Sequence, residues 1–176
     1  MEILYSSHYA LHATTLQLPG CPVPYFEIPA RAEAIIQAIR EAGLKKINEP
    51  YDFGMSPITD VHSPEFIRYL QAAYRNSLPF FDGTKPAIAD TYSGRGWRHK
   101  PTDWPGQLGY YSFDATAAIL EGTWEASYWS AQCALTAADR AHSIYVTART
   151  RRYTRRVKAP HFYKIHPLNN CKRSLW

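Results

Sequence analysis

Acidic residues are missing from the C-terminal end of the chain. From Arg140 to Trp176 there are ten Lys/Arg and no Asp or Glu, whereas residues 1–139 hold ten Lys/Arg and all fifteen acids. The formal charge of +5 therefore averages a mildly acidic piece and a strongly basic one, joined near Arg140. Long apolar runs are missing too. No stretch approaches the roughly 20 apolar residues that a membrane-spanning helix needs, so a helical span is excluded. The opening Met1-Glu2-Ile3-Leu4-Tyr5-Ser6 lacks the basic start and extended apolar core of a secretory signal, and the expected location is the cytoplasm. Cysteine is scarce: Cys21, Cys133 and Cys171 are odd in number and contain no Cys-x-x-Cys pair, which argues against a disulfide framework and a zinc ribbon. What is present in quantity is apolar and aromatic side chain, 45% and 14% of residues, enough for a buried core in the first piece.

The pattern along the chain alternates short strands with amphipathic helices. Residues 2–6 read as a buried strand and Lys46-Ile47-Asn48 as a second short one. Between them, from Pro29, apolar Ala32, Ile35, Ile36 and Ile39 recur at helical spacing, with Pro29 suited to the first turn and Gly43 to the residue past the end. Ser63 with Pro64 behind it starts another helix, whose apolar face is Phe66, Ile67, Leu70, Ala73 and Tyr74. Residues 79–108 read as a long loop rich in Pro, Gly, Trp and charge, packed by Tyr92, Trp97 and Trp104. Helices are expected at about 109–120 and 124–140, the second capped by Thr123. Two weak strands are too few for a parallel sheet buried on both faces, so the expected fold class is α/β, and only the beginning of such a domain.

Several blocks carry a resemblance. They are Ile3-Leu4-Tyr5-Ser6; Val23-Pro24-Tyr25-Phe26-Glu27-Ile28-Pro29-Ala30-Arg31-Ala32-Glu33; Ala42-Gly43-Leu44; Val61-His62-Ser63-Pro64-Glu65-Phe66-Ile67; Pro101-Thr102-Asp103; Gly106-Gln107-Leu108-Gly109-Tyr110-Tyr111; and Gly122-Thr123-Trp124-Glu125-Ala126. In this order, across about residues 1–139, the chain resembles the start of the zinc-dependent histone deacetylase superfamily, and within it the bacterial acetylpolyamine amidohydrolases. The resemblance implies the N-terminal portion of an arginase-like deacetylase fold with a parallel sheet, and hydrolysis of the acetamide of an acetylated amine. It also implies a zinc ion that acidifies a water, with a tandem His-His pair as general base and acid. By the same resemblance Arg31 lines an internal channel used by acetate, and Asp103, Gly109 and Tyr110 lie in the loop at the active-site entrance. His62 falls in a matching block, but as a capping or packing residue.

The family's Arg-Pro-Pro-Gly-His-His and Asp-x-Asp-x-His-His blocks do not occur, and no two histidines are adjacent in this chain. Neither catalytic residues nor metal ligands are therefore assigned, and no zinc is expected to bind. After Asp139 the text turns into the basic run Arg149 to Lys158, with only Leu168-Asn169-Asn170 echoing the family. Two readings of residues 140–176 stand beside each other. One is a non-family C-terminus left by a truncating change. The other is a nucleic-acid-binding tail in which Arg149, Arg151, Arg152, Arg155, Arg156 and Lys158 neutralise phosphates. His161, His166 and Cys171 lack the paired spacing of a metal site. A sheet that stops after its first strands leaves Ile35, Ile36 and Ile39 without partners, so oligomerisation or aggregation is expected.

Overall fold

The computed structural model describes residues 2–13, 28–44, 46–81, 86–92, 99–113 and 118–153, the last of these as helical backbone alone from residue 143. The chain divides into two compact units, Met1–Asp139 and Arg140–Trp176, each considered by itself.

Strand β1 (Ile3–Leu4) pairs in parallel with β2 (Ile47–Asn48), Ile3 opposite Ile47 and Leu4 opposite Asn48. The connection between them carries a 3-10 turn, Ser7–Leu11, and helix α1 (Pro29–Glu41). Pro29 supplies the fixed φ of a first helical turn, and the chain leaves α1 through Gly43 at φ +74°, where a side chain would be strained. Only Ile36 of the expected apolar face is buried; Ile35 is 54% exposed. Helix α2 is the single turn Ser56–Thr59.

The core of the first unit forms where α3 (Pro64–Ser77) meets α4 (Trp104–Tyr111). Ser63 caps α3 by accepting from the Phe66 N–H at 3.2 Å, and α3 buries Ile67, Tyr69 and Ala73. Tyr69 stacks on Tyr111 with centroids 4.2 Å apart and on Trp104 at 6.4 Å, while Phe66 tilts against Tyr111. Burial pushes the Tyr69 phenol up to about 12, so it stays neutral in the core.

Two expectations are corrected here. A helix was expected at 109–120 after a loop through residue 108, but α4 begins at Trp104 and ends at Tyr111. Asp103 caps it by accepting from Gly106 N–H at 2.7 Å, and Pro105 sits in the first turn. Residues 118–120 are extended instead, because Ala87 and Ile119 exchange both backbone hydrogen bonds, at 2.8 and 3.0 Å, in an isolated antiparallel bridge. The last helix, α5 (Thr123–Tyr153), runs beyond the expected end at residue 140. No glycine or proline between Trp124 and Tyr153 stops it.

Candidate functional site

The side chains that hold α5 to the rest of the first unit are polar and buried. Gln132 and Thr136 are fully buried and lie one helical turn apart. The Gln132 carbonyl oxygen accepts from the Phe53 N–H at 2.9 Å while its amide donates to the Gly54 carbonyl at 3.3 Å; the Thr136 hydroxyl accepts from the Tyr51 N–H at 2.9 Å. The segment Tyr51–Gly54 is thereby gripped through its backbone, with the Tyr51 and Phe53 side chains left exposed.

Asp52, within this segment, accepts from the Tyr128 hydroxyl of α5 and from the Gly54 N–H, and these two donors hold its carboxyl below its ordinary value of 3.8. The carboxylate form therefore contributes stability above that unfolded-state value, and the contribution fades as pH falls through the lower folded-state one. In a carbon-detected carboxyl titration Asp52 is expected to titrate below the usual aspartate range, and Tyr128→Phe to move it upward. An unchanged titration in that variant would show that the tyrosine does not set it.

A cleft of about 770 Å³ opens between α1 and α5, lined on one side by Ile28, Arg31 and Ile35 and on the other by Ala126, Ala131 and Ala134, with Tyr9 and His12 at one end. His12 Nδ1 lies 2.9 Å from the Thr123 hydroxyl, and the Tyr9 hydroxyl donates to Glu33. Nearby, His8 joins the 3-10 turn to α5: its Nδ1 is 2.9 Å from the Ser6 hydroxyl, its Nε2 is 3.5 Å from Glu125, and its ring stacks on Trp129. Arg31 thus lines a cleft. Asp103, Gly109 and Tyr110 all sit on or at the start of α4 and line neither this cleft nor the smaller cavity beside it. Asp103 caps the helix, Gly109 is buried against Thr91, and the Tyr110 ring meets Tyr111 edge-on.

Among the described residues no three His, Cys, Asp or Glu side chains come together in a way that could hold a metal. Asp60-Val61-His62 has the spacing of an Asp-x-His ligand pair, but Asp60 ends α2 and the His62 ring packs against Phe66 at 5.6 Å. The donor set of a catalytic zinc, two carboxylates and an imidazole around one point, does not fit these residues. Among them, too, no helix is long and apolar enough to cross a membrane. Arg149, Arg151 and Arg152 belong to α5 as backbone, whereas Arg155, Arg156, Lys158, His161, His166, Leu168-Asn169-Asn170 and Cys171 lie outside the described residues, as do Cys21, Val23 to Glu27 and Trp97. Sequence reasoning missed Gln132 and Thr136. The available signal was two polar residues at i and i+4 on one face of a helix rich in alanine.

A short parallel pair joined through α1 and flanked by further helices is the opening of a deacetylase fold. The solved acetylpolyamine aminohydrolase of Burkholderia pseudomallei matches it with a TM-score of 0.68 and 28% identity, over 80% of this chain and 41% of that one. No protein-family model matches the chain. Acetylpolyamine amidohydrolase 2 of Pseudomonas aeruginosa is 35% identical over 167 residues, which is 85% of this chain and 45% of the relative. Acetylpolyamine amidohydrolase 1 of the same organism is 37% identical over 144 residues, covering 79% of this chain and 41% of the relative. The N-terminal region of this chain is similar to the bacterial acetylpolyamine amidohydrolases of the histone deacetylase superfamily, and the chain spans less than half the length of these relatives.

Proposed function

We propose that residues 1–139 are the N-terminal scaffold of a deacetylase-type hydrolase of acetylated amines, and that the 176 residues, which do not contain the family's zinc and His-His blocks, are inactive alone. Residues 140–176 form a separate basic segment in this reading. The observation that carries it is the sequence itself: both family blocks that bring the zinc ligands and the tandem histidines are absent, while the scaffold blocks before them are present. A hydrolysis of this kind needs a metal-bound water and a proton donor to the leaving amine. The described donors supply no such centre. In this reading Arg31 would line the acetate channel and Asp103, Gly109 and Tyr110 the active-site entrance of the whole enzyme; the position of Arg31 in a cleft supports the first role. A cytoplasmic location fits the unpaired Cys133 thiol, which burial holds protonated.

The full chain, purified and supplied with zinc, is expected to release no acetate from acetylputrescine or from an acetyl-lysine peptide above the buffer rate. Turnover that a chelator abolishes would overturn the proposal.

A further inference from the structure

The basic run at the end of α5 has no part in the scaffold reading, and its backbone is helical as far as Tyr153. From Arg140 to Tyr153 the helix carries four arginines and no acid, and three of them, Arg149, Arg151 and Arg152, fall in its last five residues. Cations are favoured there, because the macrodipole leaves partial negative charge at a helix C-terminus. Arg155, Arg156 and Lys158 follow in the sequence, and no acid occurs as far as Trp176.

Helix register adds what composition does not show. An α-helix turns about 100° per residue, so Tyr145, Arg149, Arg152 and Tyr153, at positions i, i+4, i+7 and i+8, share one face about 100° wide, the two arginines standing between the two tyrosines. Such a row suits a single-stranded nucleic acid: guanidinium groups neutralise phosphates, and aromatic rings stack on bases that no complementary strand covers. In a duplex the bases are stacked on one another and closed to a tyrosine. A membrane surface fits less well, since it needs an apolar face, and Ile144 and Val146 stand about 200° apart, on nearly opposite sides of the helix.

We propose that the C-terminal part of α5, with the basic residues that follow it, binds single-stranded nucleic acid without sequence preference, Arg149 and Arg152 pairing with phosphates and Tyr145 and Tyr153 stacking on bases. This role belongs to the second unit, and no result of the acetate assay bears on it.

The test is fluorescence anisotropy of the full chain with labelled single-stranded DNA and RNA of mixed sequence over a range of salt. Binding is expected to weaken steeply as salt rises. Arg149→Ala combined with Arg152→Ala should lower the slope of log affinity against log salt by about 1.4, at roughly 0.7 for each phosphate contact on a single strand. Tyr145→Ala combined with Tyr153→Ala should weaken binding by about tenfold or more and leave that slope in place. Tyr145→Phe combined with Tyr153→Phe keeps the rings and should bind as the unaltered chain does, which separates lost stacking from a lost helix. Thr147→Ala, on the opposite face of α5, should bind unchanged too. A duplex of the same sequence should bind about tenfold more weakly or worse. No binding at low salt, a tyrosine pair whose removal costs nothing, duplex binding as tight as single-strand binding, or tighter binding to phosphatidylglycerol vesicles would each overturn the proposal.

Discussion

Gly109→Ala is expected to destabilise the first unit by about 2 kcal/mol or more, although helix propensity by itself predicts the reverse. In a helix interior, alanine is better than glycine by about 1 kcal/mol. At Gly109 an added Cβ would stand 1.8 Å from the Thr91 carbonyl oxygen and 3.0 Å from its carbon. The neighbour is backbone, so no side-chain rotation relieves the clash. Either α4 or the backbone at Thr91 must move, and overpacking that shifts backbone costs roughly 1–3 kcal/mol and occasionally more; an approach this close puts Gly109 at the upper end. That stretch is pinned a few residues away by the Ala87–Ile119 bridge, and α4 by the Tyr69–Tyr111 stack. The steric cost exceeds the propensity gain, and the melting temperature should fall by roughly 5–10 °C. Gly43→Ala is the control: there φ is +74° with nothing within 4 Å of the new Cβ, so only the left-handed backbone penalty of about 1 kcal/mol applies. A Gly109→Ala chain that melts at or above the original would show that α4 does not approach Thr91 so closely.

Gly109 also shows which features the sequence makes legible. Local signals that act within a few residues were readable: Pro29 opening α1, Gly43 closing it at positive φ, and Ser63 capping α3 through Phe66. Arg31, which the resemblance assigns to an internal channel, stands in the first turn of α1 and lines the cleft. Partners distant along the chain were not readable. Ala118-Ile119-Leu120 has helix-compatible composition, but pairing with Ala87 makes it extended, and nothing near residue 119 announces residue 87. Asp103-Trp104-Pro105 does carry a helix-start signal, hidden in a stretch whose Pro, Gly and Trp content reads as loop. Ile35 fails for a different reason. Its helical spacing is that of a core residue, yet it is largely exposed, because periodicity reports that a face is apolar and not that the chain contains something to cover it.

The second large effect is expected at Gln132, and it concerns the same kind of distant partnership. Gln132→Leu should cost about 2–4 kcal/mol, since it keeps the apolar bulk but strips the acceptor from the Phe53 N–H and the donor from the Gly54 carbonyl, and each backbone group left without a partner costs roughly 1–3 kcal/mol. Thr136→Val, which is nearly isosteric, should cost less, about 1–2 kcal/mol, because only the Tyr51 N–H loses its acceptor. The Thr136 hydroxyl also donates within its own helix, to the Gln132 carbonyl at 2.8 Å, so Gln132 and Thr136 are joined through α5 as well as through the segment they hold. The two losses should therefore not add in the double variant: once Gln132→Leu has released residues 51–54, the Tyr51 N–H reaches water and Thr136→Val has less to break. Hydrogen exchange separates this local release from a general loss of stability. The Tyr51 and Phe53 amides should lose protection in Gln132→Leu well before the amides of α3 do, and a uniform loss across both would show that the glutamine stabilises the unit without gripping this segment. Released, the segment would also free Asp52 from Tyr128, so the depressed carboxyl titration should return toward its ordinary range in Gln132→Leu, linking buried amide, exposed carboxylate and α5 in one testable unit.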